Sequence, residues 1–141
     1  EAVTRILFHE YTHAVVHEVV GHECPQWIDE GLAEYEAWKD AQPPWQALRQ
    51  AVAHNRLIPW ASVSGRFSSA LGADEVRLAY EQSHSMIQYL VERYGMWRIR
   101  HLLKALGQGV PLDQALADEF RLKPDRLEGN WKAWLRERLG D

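Results

Sequence analysis

Two histidines four residues apart, with a glutamate beside the first, are the residues of this chain best suited to chemistry: His9-Glu10-Tyr11-Thr12-His13. On an α-helix, positions four apart point the same way. His9 and His13 then offer two imidazole nitrogens to one metal ion, with Glu10 turned about 100° aside as a base. A structural zinc site takes four protein ligands, whereas a catalytic one takes three and keeps a position open. A third ligand is therefore needed, and Glu30 is the best candidate, in Trp27-Ile28-Asp29-Glu30-Gly31-Leu32-Ala33-Glu34-Tyr35. It follows His13 after sixteen intervening residues, enough for a helix end, a turn and the start of a second helix. Glu34 lies one turn further on the same face, placed to accept the free ring N–H of a metal-bound histidine. His17 continues the four-residue spacing, but one straight helix cannot wrap three such residues tetrahedrally around an ion, so it reads as a packed or solvated histidine. His22 and Cys24 fall in the turn between the two ligand segments, and Cys24 reads as a small, partly buried residue rather than a thiolate ligand.

The elements that must position these groups are helical. Val3, Ile6, Leu7, Ala14 and Val15 recur at helical spacing and predict an amphipathic helix over 1–20, stopped by Gly21. A second helix is expected over 26–40, with Ile28, Leu32 and Tyr35 on one side. A third is expected over 44–54, with Pro44 as its first residue. Residues 55–73 are Ser- and Gly-rich and read as a long loop with one short helical turn, covering part of the cleft. Asp74 is expected to cap a long helix over 74–94, closed by Gly95. Helices over 96–106, 111–120 and 124–139 complete the chain. With no alternating strand pattern, repeat or low-complexity tract, the fold class is all-α.

Composition narrows the function. The 141 residues are 46% hydrophobic and 26% charged, values of a single soluble globular domain long enough to bury a core. A net charge of −4 leaves no basic patch and argues against a nucleic-acid partner. One cysteine rules out an internal disulfide. No apolar run has the length of a membrane span, and no signal peptide is present. The chain lacks an initiating Met and opens almost directly into the His-Glu motif, so it reads as a piece of a longer protein with possible flanking domains. Seven Trp point to a core or cleft rich in rings. Trp97, Trp131 and Trp134 are expected in the core; Trp27, Trp45 and Trp60 suit either the cleft or the core.

H-E-x-x-H followed by W-x-x-E-G-x-A-E-Y resembles the gluzincin metallopeptidases, and more narrowly the bacterial peptidase MA-like domains. The likeness extends to Leu57-Ile58-Pro59, to Ala79-Tyr80-Glu81-Gln82-Ser83, and to Tyr89-Leu90 and Tyr94-Gly95, and weakly into the tail at 96–139. The resemblance implies a zincin-like helical domain with one zinc at His9, His13 and Glu30, Glu10 as catalytic acid/base, and a peptide or protein substrate. Tyr80 is the first candidate donor to the developing oxyanion and His84, one turn on, the alternative; both sit on the helix over 74–94, which would form the far wall. The resemblance also points to an exported or cell-envelope bacterial protein. Two features depart from the family. The spacing from His13 to Glu30 is shorter than in aminopeptidase-type gluzincins, and the β-sheet usually found upstream of the motif helix has no counterpart in this sequence. The metzincin pattern fails, because Val16 and Val19 stand where it needs Gly and His. The rival readings are a catalytically silent, zinc-stabilised scaffold module and a zinc hydrolase of non-peptide amides.

Overall fold

Glycine ends the first helix where the sequence places it. In the computed structural model, which describes residues 2–21, 23–67 and 71–140, α1 spans Ala2–Val20. Gly21 follows at φ +94°, a left-handed conformation that costs glycine little. His22 lies outside the described residues. The chain continues as α2 (Gln26–Ala37), α3 (Gln46–Ala53), a one-turn α4 (Trp60–Val63), α5 (Ala73–Tyr94), α6 (Met96–Gly107), α7 (Leu112–Phe120) and α8 (Pro124–Leu139). The described residues hold no strand, and the all-α reading stands.

The layering follows from which faces are apolar. In α2, Trp27, Ile28, Gly31 and Leu32 are buried, the i, i+1, i+4, i+5 pattern of one helix face, and Ala33 is buried beside them. That face packs on α5, while α2 also packs against α1, so α2 lies between the two. Gly31 sets the closeness of the α2–α5 approach. A Cβ there would stand 2.5 Å from Ser83 O and 2.6 Å from Ile87 Cγ1. The middle of α5, from Gln82 to Ile87, is buried throughout. Its serines are satisfied within the helix and from α8: Ser83 Oγ donates to Ala79 O (2.6 Å), Ser85 Oγ donates to Gln82 O (2.7 Å), and Trp131 Nε1 donates to Ser85 Oγ (3.0 Å).

Several expectations need correction. The apolar positions of α1 point outward: Val3, Ile6 and Leu7 are mostly exposed, at 69%, 60% and 64%, and Val16 is the buried residue of this helix. The face turned to α2 carries the histidines instead, so α1 is apolar on the side away from the rest of the chain. The second helix ends at Ala37 rather than running to 40. The third begins at Gln46 rather than Pro44. Trp45 is buried with its indole bonded to His84, and its backbone stays outside helical geometry at ψ 57°. Asp74 does not cap α5. Gly72 takes that place, its N–H bonded to Glu75 Oε1 at 3.2 Å, and Asp74 sits in the first turn, where a carboxylate meets the positive helix end.

Residues 55–73 are not a simple cover either. Ile58, Trp60, Val63 and Phe67 are buried in the core, and Gln82 clamps Ile58 by accepting from its N–H (3.1 Å) and donating to its carbonyl. Residues 68–70 lie outside the described ones. Trp60 stacks between Trp27 and Trp131, at centroid distances of 5.3 and 5.7 Å. Trp131 is core as expected and Trp134 packs partly buried beside it, but Trp97 is 51% exposed.

Candidate metal centre

The pairing of α1 with α2 turns the two histidines towards the acidic opening of α2. His9 Nε2 stands 3.5 Å from Glu30 Oε1, and His13 Nε2 stands 3.2 Å from the same oxygen. Ligand atoms of His9, His13 and Glu30 all lie within 4.8 Å of one another, the one such group of three among the described residues. Glu30 Oε1 is buried and meets no hydrogen-bond geometry, although both Nε2 atoms are within ion-pair distance. A buried carboxylate oxygen without a hydrogen bond, faced by two imidazole nitrogens, is the donor set that fits a zinc ion in three-ligand coordination.

Three acidic neighbours act on the pair of rings. His13 Nδ1 donates to Asp29 Oδ1 at 2.7 Å, which leaves Nε2 for the centre. Asp29 Oδ2 lies 3.1 Å from His17 Nε2, so one carboxylate serves two histidines of α1. Glu34 does not reach the outer nitrogen of either ring. Its Oε2 lies 3.1 Å from His9 Nε2, the nitrogen that also faces Glu30. Glu10, whose side chain is 72% exposed, has Oε2 3.7 Å from His9 Nδ1.

Without an ion, protons on the two rings offset part of the negative charge of this cluster. The carboxylates of Glu30 and then Glu34, both facing its Nε2, raise His9 to about 9. The hydrogen bond to Asp29, and then the carboxylate of Glu30, raise His13 to about 10. Burial alone would raise the Glu30 carboxyl, but His13 and His9 outweigh it and hold Glu30 down to about 2. Cys24 stays outside the group, and burial pushes its thiol up to about 12.

Tyr80 and His84 lie on α5 and line a cleft of about 500 Å³ together with Glu34, Trp38 and Trp45. Burial raises the Tyr80 phenol above its usual value, and the charges of Glu30 and Glu34 push it the same way. Burial lowers His84 to about 4. Trp45 Nε1 donates to His84 Nδ1 at 3.2 Å, and since an indole only donates, the proton of the neutral ring is assigned to Nε2. Glu10 lines a second cleft, of about 470 Å³, with Arg5, His9, Glu34 and Trp38. The two clefts share Glu34 and Trp38, and Arg5 stacks on the Trp38 ring at 4.2 Å.

Sequence reasoning missed Asp29 and Trp38. The acidic pair Asp29-Glu30 was the available signal for Asp29, but a carboxylate in a first helical turn is ordinary on dipole grounds. Trp38 offered no signal, because it stands just past the C-terminus of α2.

No curated protein and no solved structure matches the chain. A family model does, that of the peptidase MA superfamily, and it spans residues 2–137. With His9, His13 and Glu30 gathered inside that match, the chain belongs to the peptidase MA superfamily.

Proposed function

We propose that this chain is a zinc-dependent metallopeptidase domain that hydrolyses peptide bonds. The observation that carries the reading is the convergence of His9 Nε2 and His13 Nε2 on the buried Glu30 Oε1, with Glu10 on the same helix as both histidines. His9, His13 and Glu30 would hold the metal. A zinc ion there supplies a Lewis acid that acidifies water and polarises a carbonyl. Asp29 holds the His13 ring by its Nδ1–H and keeps Nε2 turned inward. Glu10 takes a proton from the attacking water and passes it to the leaving amine. Its exposure suits that role, since the carboxylate must meet both water and substrate. Tyr80 through its phenol, or His84 through Nε2–H, donates to the developing oxyanion from the α5 side. The intact Glu10 favours an enzyme over a silent scaffold, which has no use for a base beside its metal.

The test combines metal content with turnover. Wild type is expected to hold about one zinc per chain and Glu30→Ala to lose most of it. Glu10→Gln is expected to keep the zinc while cleavage of a quenched peptide falls by at least ~100-fold. Zinc retained at full affinity by Glu30→Ala refutes the ligand set, and undiminished cleavage by Glu10→Gln refutes the base.

A further inference from the structure

The cleft beside the candidate centre has a chemistry of its own. At about 500 Å³ it falls in the range of ligand clefts, about 300–1,000 Å³, large enough for one long side chain. It abuts the proposed catalytic group through Glu34, which lines the cleft and lies 3.1 Å from His9 Nε2. Its lining combines the rings of Trp38, Trp45 and Tyr80 with two carboxylates, Glu34 and Glu81, against one guanidinium, Arg77. Trp45 is buried and held on that wall by its bond to His84.

Charge distinguishes this cleft from a purely apolar one. The Glu81 side chain is only 11% exposed; its Oε1 accepts from Leu48 N at 3.0 Å, which anchors the carboxylate. Its Oε2 stands 4.0 Å from Arg77 Nη1, at the outer limit of an ion pair, and the Arg77 side chain is 78% exposed. A loose, solvated arginine at that distance is a weak counter-ion. Aromatic faces accept both an aliphatic stem and a cationic head, and a partly buried carboxylate favours a partner that brings its own positive charge.

We infer that this cleft is the specificity pocket of the proposed peptidase and that it takes a lysine or arginine side chain of the substrate, stem against Trp38 and Trp45 and cation towards Glu81. The inference rests on the peptidase reading only for its place beside a scissile bond. Recognition itself is read by binding.

The experiment measures calorimetric affinities of capped pentapeptides that are alanine except for a central Lys, norleucine, Phe or Glu, with and without zinc. Wild type is expected to bind the Lys peptide about tenfold more tightly than the norleucine peptide, the worth of one charge-assisted contact. Glu81→Gln, which keeps an oxygen for Leu48 N, is expected to bring that ratio close to one. Arg77→Ala, at an exposed site, is expected to tighten the Lys peptide further, which a purely structural role for Arg77 would not do. Norleucine or Phe bound as well as Lys, a ratio unchanged in Glu81→Gln, or no binding of any peptide overturns the inference. A Lys preference that persists in protein taking up no zinc counts against the peptidase reading alone.

Discussion

His13 has both ring nitrogens committed, Nδ1 to Asp29 at 2.7 Å and Nε2 towards Glu30 at 3.2 Å. Orientation of this kind usually carries 10–100-fold in metal affinity. Asp29→Ala is therefore expected to weaken zinc binding by about 10–100-fold in a chelator competition, with the helical circular dichroism retained. Unchanged affinity would mean that packing alone orients the ring. At this scale the sequence was informative about donors and poor about their surroundings. His9, His13 and Glu30, which the structure brings together, were legible from type and spacing. Asp29 was not, because its role depends on which rotamer of which ring faces it. Nor was the choice of nitrogen at Glu34, which faces His9 Nε2 rather than an outer N–H.

Among the elements, the α2–α5 contact governs where Glu30 stands. One turn of α2 carries Glu30, Gly31 and Glu34, with Gly31 against the α5 backbone at Ser83. Gly31→Ala must move the helices apart, since the clash at 2.5 Å is with a carbonyl oxygen and not with a flexible side-chain end. The expected cost is about 1–3 kcal/mol in denaturant unfolding, accompanied by weaker zinc binding. A stability equal to wild type would show that the interface has slack. The E-G-x-A-E stretch thus places small residues where helices meet and acids where they face α1. Helix positions were largely readable from period and from Gly and Pro. The errors at α1 and at residues 55–73 share a cause: local periodicity reports an apolar face, not what lies against it. Val3, Ile6 and Leu7 have the right spacing and sit exposed, while Ile58, Trp60 and Phe67 lack regular spacing and are core.

For the molecule as a whole, the ionised cluster links folding, pH and metal. His9 and His13, raised from 6.5 to about 9 and about 10, contribute stability that is complete below pH 6.5 and lost as pH rises through those values. Glu30, lowered from 4.5 to about 2, contributes stability present above pH 4.5 and lost as pH falls towards 2. As far as these groups decide it, chelator-treated protein is expected to reach its highest Tm between about pH 4.5 and 6.5 and to lose Tm steadily towards pH 10. Zinc needs both imidazoles neutral, so its binding releases protons and strengthens as pH rises, and the loaded protein should keep its Tm through the alkaline range. A Tm of chelated protein that climbs from pH 6.5 to 10 would refute the ionised cluster. By itself the sequence determined the helical class and the helix order, and it singled out His9, His13 and Glu30, the three residues that the structure gathers, because each follows from spacing along one helix or from residue type. Tertiary structure alone decided that Glu30 Oε1 meets both rings, that Asp29 holds His13, and that Trp38 and Glu34 join two clefts. Those relations lie between α1, α2 and α5, and they depend on how closely Gly31 lets the helices approach, a distance that spacing along a chain does not contain.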